Sequence, residues 1–414
     1  MNWKRTVLAA VLIATCLSSS GCWDRRELQD VNIITAIGFD RITSGGKPVW
    51  KLSTYTIIMS GSGSGKSAQA SNANTPNQVR GTVRTAYGAT IYDAVRNAST
   101  RESRQLFFGQ TLIAVVGQKT ARQGIEEIID FLARHRDLRL RLWFAVSNTS
   151  AEICLQASPE IETLLSTELN KMMAKNEVRG SKSVSSDLLD VVHGIMTPGH
   201  EPLIARIVVI RPPEPASPLL SNQNPGQPPN PAQNTVALRG SYLVHAARLV
   251  TAMSEDETQG YTFLVNQASG GVIPVTYHSG NPNISLVFRR VKAKIRPEVV
   301  NHRIVFRIRI DLETDLQEVK ENRFHAMTEK DRLAIEKLAG REVERRCKLA
   351  LKKAKETKTD IFGFGEILHQ RNPKVWHQVA SNWDDVFSTL DVRIQAHVDI
   401  EHTGLITDPL MPVH

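Results

Sequence analysis

Few residues in this chain have a type and spacing that could do chemistry, and Cys22 heads them. Lys4 and Arg5 precede an apolar run from Thr6 to Leu17, and the small residues Ser18 to Gly21 lead straight into the cysteine. A charged start, a short apolar centre and a small-residue site form an export signal covering residues 1–21. The apolar run falls well short of the roughly 20 residues that a membrane-spanning helix needs. The Gly-Cys step directs the chemistry to the thiol. Acylation of Cys22 would hold the mature chain at a membrane by its lipid, with everything after it outside the cytoplasm. Ser19 stands three positions before the cysteine, where such signals usually carry an aliphatic residue.

Other chemical signals fade on inspection. Gly61-Ser62-Gly63-Ser64-Gly65-Lys66-Ser67 looks like a phosphate-binding loop. However, Ser60 takes the place of its first glycine, and Ala68 to Pro76 is a poor helix former, with no helix start to present to a phosphate. The run Ser60 to Gln78 reads as a mobile loop. Twelve histidines show no metal-ligand spacing, neither His-Glu-x-x-His nor a pair on one helical face, so no metal and no cofactor are expected. His369 and His377 flank Pro-Lys-Val-Trp, which reads as a surface turn. No Gly-x-Ser-x-Gly elbow occurs. Asp384 and Asp385 are adjacent, point apart on a helix and cannot work as an acid–base pair. No catalytic residue is expected, and the chain reads as a non-enzyme. Of the four cysteines, Cys16 leaves with the signal. Cys154 and Cys347 fall on apolar faces of predicted helices in different halves and read as two buried thiols.

Composition sets the frame for these residues. The hydrophobic fraction of 41% in 414 residues supports packed cores and two or three domains. Losing Lys4 and Arg5 with the signal takes the formal charge from +9 to +7. That excess suits an anionic membrane surface or wall polymer. Nucleic acid ranks last, because basic residues are not interleaved with aromatic ones. The long helix predicted below carries Arg341, Arg345, Arg346, Lys348, Lys352, Lys353, Lys355 and Lys358. A solvated outer face is the preferred reading of that row, ahead of a headgroup-binding one.

The elements that must position these residues are mixed. Val31 to Phe39, Trp50 to Met59, Leu112 to Val116, Leu138 to Val146 and Leu203 to Ile210 read as strands. Thr90 to Ala98 carries a capping pattern at Thr90 and Asp93. Ala121 to Arg134 has a helical apolar stripe, and further helices are predicted over Ile161 to Met173 and Ser186 to Met196. Arg211 to Asn234 is dense in Pro, Asn and Gln and reads as a linker or long loop. The expected layout is an N-terminal α/β region over 22–210, a linker over 211–235, a C-terminal α+β domain over 236–404 and a tail over 405–414. In the C-terminal half, Ile304 to Ile310 and Leu390 to Ile400 alternate like half-buried strands. A helix from Thr328 to about Lys358, capped by Thr328 and Asp331, would cover them. The fold class is α+β, with two to three mixed domains, each a partly antiparallel sheet packed with helices.

These elements carry a family pattern. Gly21-Cys22-Trp23-Asp24-Arg25-Arg26-Glu27-Leu28 is followed by Ala36-Ile37-Gly38-Phe39-Asp40, Ala94-Val95-Arg96-Asn97-Ala98-Ser99 and Phe107-Phe108-Gly109. Then come Ala121-Arg122-Gln123-Gly124-Ile125, Asp360-Ile361-Phe362-Gly363-Phe364-Gly365, Pro373-Lys374-Val375-Trp376 and Gly404. In this order they resemble the C-subunit lipoproteins of bacterial spore germinant receptors, the Ger(x)C family, over most of the chain. Gln110 stands where the family usually has histidine, and Arg239 to His245 is a loose version of a more hydrophobic segment.

The resemblance implies a non-enzymatic lipoprotein on the outer face of the inner spore membrane. It would work with two integral-membrane subunits, one of them transporter-like, in the response to small nutrient germinants. Three α/β domains are implied, and Cys22 is the one residue whose role carries over. The alternative is a solute-binding lipoprotein that captures a small nutrient itself.

Overall fold

The computed structural model describes residue 3 and residues 30–59, 79–175, 180–211, 234–277, 283–301, 303–320 and 328–402. Cys22, the export signal apart from residue 3, the loop 60–78, most of the Pro/Asn-rich run and the tail lie outside the described residues.

The chain builds two sheets. The first has nine strands: β1 (Val31–Ser44), β2 (Lys47–Met59), β3 (Val79–Gly88), β4 (Gln105–Phe107), β5 (Ile113–Gly117), β6 (Trp143–Ser147), β7 (Leu203–Ile210), β8 (Thr235–His245) and β9 (Arg248–Met253). Their order is β3-β2-β1-β5-β6-β7-β8-β9, with the short β4 pairing to the start of β1. The centre, β1-β5-β6-β7, is parallel, and the strands flanking it on both sides are antiparallel. Parallel strands must be buried on both faces, and β5 meets that need with Ile113-Ala114-Val115-Val116, all buried. Ile113 and Val115 face one core, Ala114 and Val116 the other. Helices Ile91–Ser99, Gln118–Gln123, Glu126–Arg134 and Leu188–Met196 cover one face. Helices Ala151–Leu155, Leu165–Ala174 and Glu255–Leu264 cover the other.

The second sheet has the order β10 (Gly271–Val275), β11 (Ile284–Val300), β12 (Arg303–Val319) and β13 (Asp391–His402). Its first three strands are antiparallel, whereas β12 and β13 run parallel. A parallel pair needs a crossover, and the long helix Glu329–Glu356 supplies it. The helix opens with a reciprocal capping box between Thr328 and Asp331 and buries Ile335, Ala339, Val343, Cys347, Ala350 and Ala354. The core under this helix is continuous with one face of the first sheet. The fold is α+β, two mixed sheets packed with helices.

Several elements differ from expectation. The Pro/Asn-rich run does not separate the two sheets: β7 and β8, on either side of it, are antiparallel neighbours, with Ile210 opposite Thr235. Residues 235–253 therefore extend the N-terminal sheet. The helix expected over Ala121 to Arg134 breaks at Gly124, whose φ of 138° no other residue adopts readily. There the Ile125 amide donates to the Ala247 carbonyl at 2.9 Å, tying the break to the β8–β9 turn. Leu138 to Leu142 forms turns before β6. The helix expected from Ile161 starts at Leu165, because the amides of Glu160, Ile161 and Glu162 all donate to one oxygen of Glu168.

Candidate functional site

The two sheets meet where the loop Pro198 to Glu201 crosses the loop Asp360 to Gly365. Asp360 is buried, and its carboxylate is the centre of its own turn. Oδ1 accepts from the amides of Phe362 and Phe364, each at 3.2 Å. Oδ2 accepts from the Gly365 amide at 2.8 Å and from Trp383 Nε1 at 3.0 Å. Burial pushes the carboxyl up to about 7, against the pull of those four donors. The Asp360 carbonyl in turn accepts from the Glu201 amide at 2.9 Å, across the joint.

The crossing is close enough to demand glycine. A Cβ on Gly365 would stand 2.6 Å from the Gly199 Cα, and one on Gly199 would stand 2.7 Å from both the Gly365 Cα and the Trp376 ring. Around this contact the aromatic residues stack. Phe364 lies 4.6 Å from Phe306 and 5.2 Å from Phe362, and Trp376 meets Trp383 edge-on at 5.3 Å. His369 and His377 do not flank a surface turn. Pro373–Val379 is a helix with proline in its first turn, which proline tolerates, and it buries Trp376.

Six ionisable groups from the two halves approach one another at the rim. His200 Nδ1 lies 3.2 Å from Glu366 Oε2, and its ring meets His193 at 5.6 Å. His245 Nδ1 lies 3.2 Å from Glu201, and its Nε2 lies 3.6 Å from Asp384. Burial lowers the pKa of His200, while the contact with Glu201 raises that of His245. Sequence spacing could not reveal this meeting, because its members come from a helix end, one loop, the end of β8 and the starts of two later helices.

The remaining predicted residues hold structure together. Asp40, from Ala36-Ile37-Gly38-Phe39-Asp40, accepts from the amides of Ala151 and Glu152 at 3.0 and 3.2 Å, anchoring that helix start to β1. Cys154 and Cys347 are buried free thiols. Burial pushes the Cys154 thiol up to about 12 and raises that of Cys347 as well, so neither is a reactive thiolate. The basic row on the long helix is only partly solvated. Arg346 is buried, bonding Gln259 and Glu342, while Arg345 bonds Glu342 and Asp256, each at 2.7 Å. Lys353 pairs with Glu257, and Lys358 with Asp385. The bonds to Asp256, Glu257 and Gln259 clamp helix Glu255–Leu264 to the long helix, while Lys358 reaches the last helix. Asp384 and Asp385 are exposed acids at a helix start and do not act as a pair.

Comparison with known proteins places this fold in a family. Residues 24–209 match the family described as "Spore germination protein N-terminal domain", and residues 239–404 match "Spore germination B3/GerAC like, C-terminal". The two matches, in this order, define a spore germination protein. The chain belongs to the Ger(x)C family of germinant-receptor C subunits. It is 27% identical to spore germination protein KC of Bacillus subtilis (strain 168) over 410 residues, covering 98% of each chain. It is 22% identical to spore germination protein B3 of the same organism over 406 residues, covering 97% of this chain and 98% of that one. The crystal structure of the GerBC protein superposes with a TM-score of 0.52 at 17% identity, over 91% of this chain and 100% of that one. That likeness concerns the fold. The second family match begins at Arg239, inside β8, so the first sheet spans the junction between the two matches.

Proposed function

We propose that this chain is the lipid-anchored subunit of a spore germinant receptor, acylated on Cys22 and facing away from the cytoplasm. It assembles there with two integral-membrane subunits, one transporter-like, and couples their response to small nutrient germinants. The observation that carries the reading is the ordered pair of family matches over residues 24–209 and 239–404, the first starting two residues after Cys22. The export pattern of residues 1–21 supports the anchor, since a single signal followed by Gly-Cys needs no spanning helix. Among the described residues, no helix is long and apolar enough to cross a membrane. The buried Asp360 turn within one of the family motifs, which ties the two sheets together, suits a role in assembly and signal coupling.

The test is acyl labelling and membrane fractionation of the full chain and of Cys22→Ala. The substitution is expected to abolish labelling and release the protein from membranes. A labelled or still fully membrane-bound Cys22→Ala protein would overturn the anchor.

A further inference from the structure

We infer that His193, His200 and Glu366 form a divalent transition-metal site, of the kind zinc occupies, that staples the N-terminal sheet to the C-terminal lobe. One ligand atom from each of the three residues can be chosen so that all lie within 4.8 Å of one another. His193 is in the last turn of helix Leu188–Met196, His200 in the loop that follows, and Glu366 in the first turn of helix Phe364–Arg371. The two histidines thus come from one half of the fold and the carboxylate from the other.

A second observation is independent of that convergence. His200 Nδ1 is buried and makes no hydrogen bond, although Glu366 Oε2 is 3.2 Å away, because the two are misaligned. Buried polar atoms without partners are uncommon and costly. A metal ion shared by the imidazole and the carboxylate would give that nitrogen its partner.

The backbone on both sides is already fixed. The Glu201 amide bonds the Asp360 carbonyl, and Gly199 touches Gly365, so the loop bearing His200 and the helix start bearing Glu366 are held together without the ion. Metal bonds of about 2.0 Å in a tetrahedron need donors roughly 3.3 Å apart. His193 is the exposed member, and rotation of its side chain supplies the remaining approach. Two imidazoles and a carboxylate suit zinc, cobalt or nickel, whereas magnesium and calcium prefer all-oxygen shells. Three protein donors with one exposed side leave a fourth position for water or a donor from a partner.

The test uses the full-length chain in detergent, without a histidine tag and stripped by chelator, titrated with Zn²⁺ and with Co²⁺. One equivalent of either metal should bind at micromolar concentration, with visible Co²⁺ bands of a tetrahedral nitrogen–oxygen site and a rise in Tm. His193→Ala, at an exposed position, and Glu366→Gln should each weaken binding at least about tenfold. His369→Ala, a nearby histidine outside the cluster, should bind as the parent does. Absence of binding at micromolar metal would overturn the site. So would binding that survives both substitutions, or that His369→Ala weakens equally.

Discussion

Trp383 Nε1 reaches Asp360 Oδ2 at 3.0 Å inside a wholly buried contact, so an indole from the last helix completes the turn that the aspartate organises. The bond joins two segments 23 residues apart in sequence. It also fixes the Asp360 carbonyl where the Glu201 amide from the other half can reach it. The loop crossing between the two sheets is therefore organised by one carboxylate.

Asp360→Ala should destabilise the protein by about 3–5 kcal/mol, because four buried donors lose their acceptor. Asp360→Asn should cost less, about 2–3 kcal/mol, since one carbonyl oxygen remains while the amide group must face two donors. Urea unfolding followed by tryptophan fluorescence measures both. An Asp360→Ala protein within 1 kcal/mol of the parent would show that the carboxylate is not the organiser of the joint.

Gly260 offers a test in which two effects have opposite sign. It sits inside helix Glu255–Leu264, where alanine would be favoured over glycine by about 1 kcal/mol on helix propensity alone. A Cβ there would stand 2.1 Å from the Arg346 carbonyl and 2.8 Å from the Cys347 amide on the long helix. Overpacking of that kind costs about 1–3 kcal/mol and should win. Gly260→Ala is expected to lower Tm, and a raised Tm would mean that the two helices can separate without cost.

The elements read most closely from sequence were those whose pattern is set locally. Leu203 to Ile210 forms β7 over those bounds, and Thr328 and Asp331 cap the long helix as their spacing predicts. Long-range partners escaped the same reading. Nothing between Arg211 and Asn234 shows that β8 returns beside β7, because strand adjacency is decided by the sheet and not by the connection. Gly124 looked compatible with one continuous helix until the turn at Ala247 offered its carbonyl to Ile125. Asp360 and its glycines were visible as a family block, but their role depends on Gly199 and Glu201, about 160 residues earlier. The meeting of His193, His200 and Glu366 has the same origin, so no spacing rule could find it.

His245 makes the stability of the joint depend on pH. Its pKa is raised first by the contact with Glu201, against the effect of burial, with smaller help from the charges of Glu201 and Asp384. A histidine whose folded pKa exceeds its unfolded value stabilises fully below the unfolded value and loses that contribution as pH rises through the folded one. The contribution of His245 should therefore fall as pH climbs past the ordinary 6.5. The pair is partly exposed, with His245 and Glu201 side chains 32% and 21% accessible, so the change should be about 0.5–1 kcal/mol. Parent and His245→Gln proteins are compared by urea unfolding across neutral pH, with Asp384→Asn as a third curve. The stability advantage of the parent over His245→Gln should shrink with rising pH, and Asp384→Asn should show an intermediate change. Equal slopes for parent and His245→Gln would remove His245 from the joint's pH response.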